Sequence, residues 1–372
     1  MKNAVYLDHN ATTPTRAQAR DAVARALEMT GNASSVHGFG REVRRLIEDA
    51  REAVALLAGA EPRGVVFTSG GTEANNLILR GSGRARVLAS AVEHVSVLKA
   101  VTGLEEIPVD GNGIVSLEAL DALLAGDTRP ALVSVMLANN ETGVIQPLAE
   151  VSAIAKKHGA LLHCDAVQAA GKIPFDIKAL GADFISLSAH KIGGPAGVGA
   201  LVSAGDIPLQ GIIRGGGQER GRRAGSENVS GIAGFAAAAG AALDGLSDFA
   251  KLAPWRDRIE AVLGKAAGVR VFGAPAPRLA NTSCLTMPEV RAETQIIAFD
   301  LAGVALSAGS ACSSGKVEPS HVLAAMGVEP EAADRAIRVS LGWNTAAEDI
   351  ERFLEVWTAV HAQMGVADMA AA

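Results

Sequence analysis

The 372-residue chain has few aromatic residues, few cysteines, little net charge and no long hydrophobic run. Phe, Trp and Tyr together make up 3% of the residues, so Ala, Val, Leu and Ile must build most of the core. A net charge of −6 gives no electrostatic reason to expect nucleic-acid binding. The apolar stretch 231–246 is rich in Ala and Gly and is too short to cross a bilayer. We therefore expect neither a nucleic acid nor a membrane as a partner.

The cysteines are Cys164, Cys284 and Cys312, which lie far apart in the chain and form no C-x-x-C motif. Their odd number and their spacing argue against a disulfide framework and against a zinc site, so reduced thiols are expected. The opening segment MKNAVYLDHNATTP has no apolar signal region. These features predict a soluble cytoplasmic protein.

Short apolar runs alternate with helical patterns through the first part of the chain. This alternation predicts an α/β fold, in which helices cover both faces of a mostly parallel sheet. We predict a large α/β domain over 16–247 and a small α+β domain made of 1–15 and 248–372, which carries the loop of Cys312. The predicted strands are 64–68, 87–90, 131–137, 160–164, 183–188, 198–202, 269–272, 283–286 and 336–340, and the predicted helices are 41–59, 148–159, 254–268 and 347–364.

Asp165 lies at the end of one predicted strand, and Lys191 follows the next one. Gln168 comes one turn after the acid, and Ser188 and His190 come just before the lysine. In sheets of this kind, ligands bind beyond the carboxyl ends of the strands. The residue types suit pyridoxal phosphate (PLP): a lysine amine forms a Schiff base, a carboxylate pairs with the pyridinium nitrogen, and hydroxyl and imidazole donors reach the phosphate.

Upstream of this pair, 65–79 predicts a strand, a Gly-rich turn and the start of a helix. Backbone N–H groups at such a helix start favour an anion, and Thr72 adds a hydroxyl, so this turn is a candidate phosphate site. Each candidate residue also has an ordinary structural interpretation. Asp165 can be a helix N-cap, His94 a histidine at a strand end, and Arg338 a member of a surface ion pair.

Several motifs favour the catalytic interpretation, because together they resemble the class V aminotransferase branch of fold-type I PLP enzymes. The resemblance lies in D-A-x-Q from Asp165, S-A-H-K-I-G-G-P around Lys191 and E-H-x-S-V around His94. It implies that the His94 imidazole lies against the cofactor ring, where it can exchange protons. It also implies that Gly71 and Thr72 contact the phosphate and that Gln168 contacts the phenolic oxygen of the cofactor. By the same resemblance, Asn140 lies near the ring and the substrate carboxylate, and Arg338 is the clamp for that carboxylate.

The Gly-rich basic segment 214–228 can be a simple solvated loop. In the family that the motifs resemble, this element reaches across a dimer interface, where a Thr or Ser donates to the neighbouring subunit's phosphate. Ser226 occupies that place here, although Thr is more common in the family. The resemblance therefore implies a homodimer with shared sites.

Cys312 lies in 305–317, a stretch of small residues that predicts a loop. On its own it can be an incidental loop cysteine or, if its thiolate is favoured, a nucleophile. The run G-S-A-C-S-S-G-x-x-E-P-S-H-V, together with Y-L-D-H-N-A-T-T-P near the start, resembles NifS/IscS-type cysteine desulfurases. This resemblance implies that L-cysteine becomes L-alanine while Cys312 takes the sulfur as a persulfide.

The same resemblance implies a sulfur acceptor, either an iron–sulfur scaffold protein or another acceptor of sulfur for thio-cofactors. With a scaffold as partner, Cys312 would be a transient iron–sulfur ligand. Two alternatives stay open: a selenocysteine lyase or class V aminotransferase on the same fold, and a mainly non-catalytic partner in sulfur assembly. The segment LGWNT at 341–345 departs from the L-G-R-F-T of many relatives, which marks at most a subgroup.

Overall fold

The structure is a computed structural model that describes residues 4–308 and 319–369. Cys312, on which the predicted sulfur transfer and cluster contact depend, lies outside these residues. In the described chain no single helix is long and apolar enough to cross a membrane; Val229–Asp244 and Leu246–Leu263 meet that test only as a pair, bent by 60°.

Strands and helices alternate through most of the chain, as the apolar pattern predicts. In chain order the strands are β1 (Val5–Tyr6), β2 (Val65–Thr68), β3 (Arg86–Ser90), β4 (Glu105–Ile107), β5 (Ala131–Ser134), β6 (Leu161–Asp165), β7 (Phe184–Ser188), β8 (Gly199–Ser203), β9 (Thr282–Thr286), β10 (Val304–Ala305), β11 (Ser307–Ala308) and β12 (Ala336–Ser340).

The α-helices range from single turns to the long α14 near the end of the chain. In chain order they are α1 (Ala17–Leu27), α2 (Gly38–Ala58), α3 (Gly71–Gly81), α4 (Val95–Leu98), α5 (Leu117–Gly126), α6 (Leu148–Lys157), α7 (Ile177–Leu180), α8 (Val229–Asp244), α9 (Leu246–Ala250), α10 (Ala253–Leu263), α11 (Ala292–Leu301), α12 (His321–Ala325), α13 (Pro330–Asp334) and α14 (Ala347–Met369). Short 3₁₀ segments cover Pro62–Gly64, Ala189–Lys191 and Gln218–Gly221.

Within the described ranges, the large sheet has seven strands in the order β2-β8-β7-β6-β5-β3-β4. The pairs from β7 to β4 are parallel, whereas β8 runs antiparallel to both β2 and β7. Alternate residues of β2 enter different cores: Val65 and Phe67 join the core that contains α2 and α8, and Val66 joins the core that contains α3. Helices therefore cover both faces, and the predicted mostly parallel α/β fold is confirmed.

A smaller antiparallel sheet has the order β11-β12-β9, and β1 pairs in parallel with β10 beside it. Its core contains Phe299 of α11 and Phe353 of α14, whose ring centroids lie 5.6 Å apart. Leu7 from the N-terminal segment joins the same core. The domain limits that we expect at residues 16 and 248 stay a prediction.

The predicted strand at 269–272 is wrong. Val271 makes only an isolated bridge to Leu285 of β9. Gly268 and Gly273 have φ values of +83° and +70°, so the chain turns at both ends of this run before a strand can form. The predicted strand 131–137 is too long, since β5 ends at Ser134.

Candidate active site

The carboxyl ends of β6 and β7 and the first turn of α3 enclose a cavity of about 350 Å³. Because β6 and β7 are parallel, Asp165 and the segment after Ser188 lie at the same edge of the sheet. The cavity brings together most of the predicted site residues. They are Gly71, Thr72, His94, Asn140, Asp165, Gln168, Ser188, His190, Lys191 and Arg338.

Asp165, the last residue of β6, is buried and accepts two hydrogen bonds. Asn75 Nδ2 donates to Oδ2 over 2.8 Å, and the Val167 N–H donates to Oδ1 over 2.9 Å. Asn75 belongs to α3, so the helix that starts at the cavity also holds the acid. The carboxylate is thereby oriented for a cationic N–H group of a ligand.

Lys191 ends the 3₁₀ segment that follows β7 and is half-buried. Its Nζ donates to the carbonyl oxygens of Asn10 and Ala11, at 2.5 and 2.7 Å. The Thr13 N–H donates to the carbonyl of His190 at 3.2 Å, so the segment before α1 lies along the 3₁₀ segment that ends at Lys191. The N-terminal segment therefore forms one wall of the cavity around the amine.

The predicted phosphate site consists of the start of α3 and the turn after β7. Gly71 and Thr72 are the first two residues of α3, whose N–H groups cannot be paired inside the helix and so favour an anion. Ser188 and His190 line the same cavity. Burial, together with the nearby Lys191 charge, lowers the pKa of His190 to about 4, so its ring is neutral at neutral pH.

His94 caps the short helix α4, because the Ser96 N–H donates to its Nδ1 over 3.1 Å. Nδ1 is therefore an acceptor, and the neutral ring carries its proton on Nε2. Burial lowers the pKa of His94; the Asp165 carboxylate opposes this shift, while Lys191 and His321 add to it. The imidazole is thus neutral at pH 7 and can exchange a proton.

Gln168 is held on both sides of its amide. Its Nε2 donates to the Asn10 carbonyl at 2.9 Å, and its Oε1 accepts from Lys172 Nζ at 2.6 Å. The Asn10 carbonyl thus accepts from both Gln168 and Lys191. Asn10 was not among the predicted site residues, although its motif Y-L-D-H-N-A-T-T-P is a signal for it.

Arg338 lies in the middle of β12, buried and paired with Asp8. Nη2 lies 2.7 Å from Asp8 Oδ1, and Nη1 donates to the Asn140 carbonyl over 3.1 Å. Among residues 4–308 and 319–369, the buried Nε of Arg338 has no hydrogen-bond partner. Nη1 and Nη2 each carry a second N–H, and Arg338 lines the cavity, so the guanidinium has donors for a carboxylate, which suits the predicted clamp.

Ser226 lies apart from this cavity. It is exposed and lines a second cavity of about 90 Å³ together with Thr68 and Arg223. Its contact with a neighbouring subunit's phosphate stays a prediction.

Cys312 lies outside the described residues, but residues that precede and follow it in the chain are placed. Ser307 of β11 lies opposite Arg338 in the small sheet, and Pro319 lines the cavity. Both described flanks of the cysteine segment therefore lie near the predicted substrate site. In the part of the chain that the structure describes, no group of three or more His, Cys, Asp or Glu side chains could hold a metal ion.

The described cysteines, Cys164 and Cys284, are free thiols with no exposed surface. Burial raises the pKa of both thiols well above the usual range. A thiol with a raised pKa carries little thiolate, so neither is a ready nucleophile.

Glu141 is a further buried residue of the cavity wall that the motifs left unassigned. Ser320 Oγ donates to its Oε2 over 2.6 Å. Burial raises the pKa of Glu141 to about 7, although the Ser320 hydrogen bond and the Arg338 charge act in the opposite direction. The sequence signal that could have identified Glu141 was its position directly after the predicted site residue Asn140.

The donors and acceptors of the cavity fit PLP. The cavity volume of about 350 Å³ lies in the range of small-molecule sites. Lys191 offers an amine, Asp165 an oriented carboxylate for the ring nitrogen, and the start of α3 a set of N–H groups for the phosphate. The Arg338 guanidinium, which lines the same cavity, suits the carboxylate of an amino-acid substrate.

Comparisons with known proteins agree with this geometry. The class-V aminotransferase family model matches residues 5–353. A cysteine desulfurase of Cereibacter sphaeroides is 46% identical over 369 residues, covering 95% of this chain and 94% of the relative. An IscS-like cysteine desulfurase of Mycobacterium tuberculosis is 42% identical over 387 residues, covering 99% and 98%.

Solved structures show the same likeness. A NifS-like protein from Rickettsia africae superimposes with a TM-score of 0.90 at 38% identity, covering 97% of this chain and all of that one. SspA, solved in complex with cysteine, has a TM-score of 0.76 at 26% identity and covers 91% of this chain and 98% of its own.

Proposed function

The chain belongs to the class-V aminotransferase family, and on that premise we propose that it is a PLP-dependent cysteine desulfurase. The proposed reaction converts L-cysteine to L-alanine and leaves the substrate sulfur on Cys312 as a persulfide. Relatives named cysteine desulfurases, which match nearly the whole chain, support this activity.

The observation that carries the proposal is that Lys191, Asp165 and Arg338 line one cavity. They come from three separate parts of the chain, and each has a functional group that a reaction of an amino acid with PLP requires. The lysine supplies an amine, the aspartate an oriented carboxylate, and the arginine a guanidinium for the substrate carboxylate.

PLP, held through the Lys191 amine, supplies an electron-withdrawing ring that stabilises negative charge at the substrate Cα. Asp165 would keep the proton on the ring nitrogen, since an adjacent carboxylate favours a cationic N–H. Arg338 and Asn140 would bind the substrate carboxylate. His94 or Lys191 would take the Cα proton and return it.

Cys312 would act on the sulfur of the substrate. A bond forms between Cys312 Sγ and the substrate sulfur while the substrate C–S bond breaks, and its electron pair stays on carbon. Protonation of that carbon gives L-alanine. L-cysteine and one Cys312 thiol therefore become L-alanine and one persulfide, with no outside oxidant.

The proposal includes a homodimer, in which Ser226 donates to the phosphate of the neighbouring subunit. It also includes a protein that accepts the persulfide sulfur, either an iron–sulfur scaffold or another sulfur acceptor, with Cys312 as a transient cluster ligand in the first case. The odd number and wide spacing of the cysteines support a cytoplasmic site of action.

Two variants test the proposal. Lys191→Ala should lose the visible absorbance of bound PLP, whereas Lys178→Ala, at an exposed lysine, should keep it. Cys312→Ser should keep the cofactor but release no sulfide from L-cysteine with a thiol reductant present. Cys284→Ala removes a buried thiol and should still release sulfide. Normal sulfide release by C312S would contradict the persulfide role.

The products separate this activity from its alternatives. A cysteine desulfurase gives equal amounts of L-alanine and sulfide from L-cysteine when the sulfur is released by reductant. An oxo acid formed in place of alanine would indicate a transaminase. Turnover of selenocysteine with no turnover of cysteine would indicate a selenocysteine lyase.

A further inference from the structure

Lys172 is a buried lysine beside the cavity that the proposed mechanism does not use. Only 5% of its surface is exposed. It lies in the turn after β6, directly after Gly171, which has a φ of +68°. A Cβ at Gly171 would lie 2.7 Å from the Cβ of Ala242, so the turn packs closely against α8. This close packing directs the chain so that Lys172 lies inside the protein.

The Lys172 amine has two oxygen partners, and neither is charged. Nζ donates to Gln168 Oε1 and to Asn10 Oδ1, at 2.6 Å in each case. Within 4–308 and 319–369 it takes part in no ion pair. Burial lowers the pKa of Lys172 well below its usual range, and the charges of Lys191 and Arg338 lower it further. Two of its N–H groups therefore have acceptors.

The second partner, Asn10, is itself held in one orientation. Its Nδ2 donates to Thr282 Oγ1 at 2.9 Å and to the Asn140 carbonyl at 3.1 Å. Its Oδ1 must therefore face the other way, where it accepts from Lys172 and, at 3.1 Å, from Asn281 Nδ2. Lys172 is thus anchored on a rigid acceptor, which sets the position of its amine.

The contacts of Gln168 determine which end of its amide faces which partner. The Asn10 carbonyl accepts from Nε2 at 2.9 Å, and this contact acts together with the one that Lys172 makes on the other side of the amide. Oε1 then faces Lys172, which supplies the donor that this buried oxygen needs. The Nε2 group has a second N–H, and Gln168 lines the cavity. A donor is therefore available to a ligand oxygen there.

We propose that Lys172 is a positioning residue that holds the Gln168 amide so that its N–H, rather than its carbonyl, meets the ring oxygen of the bound cofactor. This inference rests on the proposed PLP function. Without a donor at position 172, Oε1 would be buried and unpaired, and the amide could turn it toward the cavity. An acceptor would then face an oxygen that carries negative charge.

The test is the pH dependence of the visible absorbance of PLP bound to the purified holoenzyme. A donor to the ring oxygen makes that oxygen less basic, so its loss should raise the pH midpoint of the absorbance change. We expect Lys172→Met to raise the midpoint by about one unit, a tenfold change in proton affinity. Lys178→Met, at an exposed lysine, is the matched control and should leave the midpoint unchanged.

The same substitution in a Gln168→Ala background decides whether Lys172 acts through the amide. The double variant should have the midpoint of Q168A, with no further shift. An unchanged midpoint in K172M, or an equal shift in both backgrounds, would overturn the proposal. If K172M does not fold, K172Q replaces it: this variant keeps an N–H donor and should match wild type, and a shift as large as that of Q168A would refute the assignment.

The outcomes also separate this inference from the function on which it rests. Suppose that wild-type protein binds PLP and turns over L-cysteine, but the midpoints of K172M and of the double variant differ from those expected. This result refutes only the role of Lys172. Wild-type protein that binds no PLP refutes the proposed function and this role together.

Discussion

Asn75 Nδ2 donates to Oδ2 of Asp165 over 2.8 Å, and so joins α3 to the carboxyl end of β6. The same Nδ2 donates to Ser96 Oγ at 2.9 Å, and that hydroxyl lies 2.7 Å from Nδ1 of His94. One buried amide therefore connects the acid proposed for the ring nitrogen with the imidazole proposed for proton transfer. Its Oδ1 is buried and has no partner within the described residues, so the amide is held through its nitrogen.

Asn75→Ala should weaken catalysis, because Asp165 loses a donor that orients its carboxylate. A hydrogen bond to a charged group contributes about 1.5–3 kcal/mol, so we expect kcat/KM for alanine formation to fall roughly ten- to hundredfold. Asn76→Ala, at the next position of the same helix, is the control and should stay close to wild type. Equal losses in both variants would show that the effect comes from α3 in general and not from the Asp165 contact.

Arg338→Lys should weaken substrate binding, because an ammonium group cannot reproduce the planar fork of a guanidinium. We expect KM for L-cysteine to rise about tenfold or more, with a smaller change in kcat. The matched control is Arg278→Lys, since the side chain of Arg278 is only 6% exposed and lies 2.7 Å from Glu260 in an ion pair outside the cavity. R278K should lose stability and keep its KM. An unchanged KM in R338K would contradict the carboxylate clamp.

Glu141→Gln should change how stability depends on pH. Burial raises the pKa of Glu141 from 4.5 to about 7. Below pH 4.5 the folded and unfolded states are both protonated. Between pH 4.5 and 7 the unfolded chain releases the proton more readily, so wild-type stability falls as the pH rises. E141Q lacks this proton, so its free energy of unfolding relative to wild type should rise over this window by up to about 3 kcal/mol.

Urea unfolding at fixed protein concentration, between pH 5 and 8, measures this difference for Glu141. Glu118→Gln makes the same change at an exposed position and should follow the wild-type profile. A difference between E141Q and wild type that does not vary with pH would contradict the prediction.

Arg51→Met should destabilise the protein strongly. Arg51 and Glu219 form a buried pair, with Nη1 2.8 Å from Oε2 and Nη2 3.0 Å from Oε1. Removal of one partner leaves an uncompensated buried charge, which costs about 3–5 kcal/mol of unfolding free energy. The double variant R51M/E219L should regain part of this loss.

Arg258→Met is the surface control for this pair, since Arg258 and Glu351 are both about half exposed at 2.8 Å. Its effect should stay below about 1 kcal/mol in the same urea titration. If R51M and R258M cost the same, the buried pair adds no specific stability.

Several of the longer elements could be predicted from the sequence, although α1, α5, α8 and α11 were not among the predicted helices. The predicted strand 183–188 differs from β7 by one residue, because a buried strand is a continuous apolar run that its own residues reveal. Strands β1, β4, β10 and β11 were not predicted. Each has only two or three residues, too few for any periodicity, and exists because another segment of the chain pairs with it, as Val304 does with Val5.

The candidate site could be predicted from the sequence only as a set of residue types. Asp165, Lys191 and His94 lie in distinctive local motifs, and the cavity contains all three. Asn10, Asn75 and Lys172 were not assigned, because their importance lies in their partners. Asn10 meets Lys172 and Asn281 across more than a hundred residues of chain, and no local pattern shows such a contact.

The α/β class, the family likeness and the chemical groups available for PLP chemistry can be read from the amino-acid sequence, because they depend on local patterns and on residue identity. The orientation of those groups depends on the folded chain. Arg338 pairs with Asp8, Asn75 donates to Asp165, and Lys172 donates to Oε1 of Gln168. A hydrogen bond requires a donor and an acceptor at about 3 Å with suitable angles, and only the folded chain brings such distant residues together.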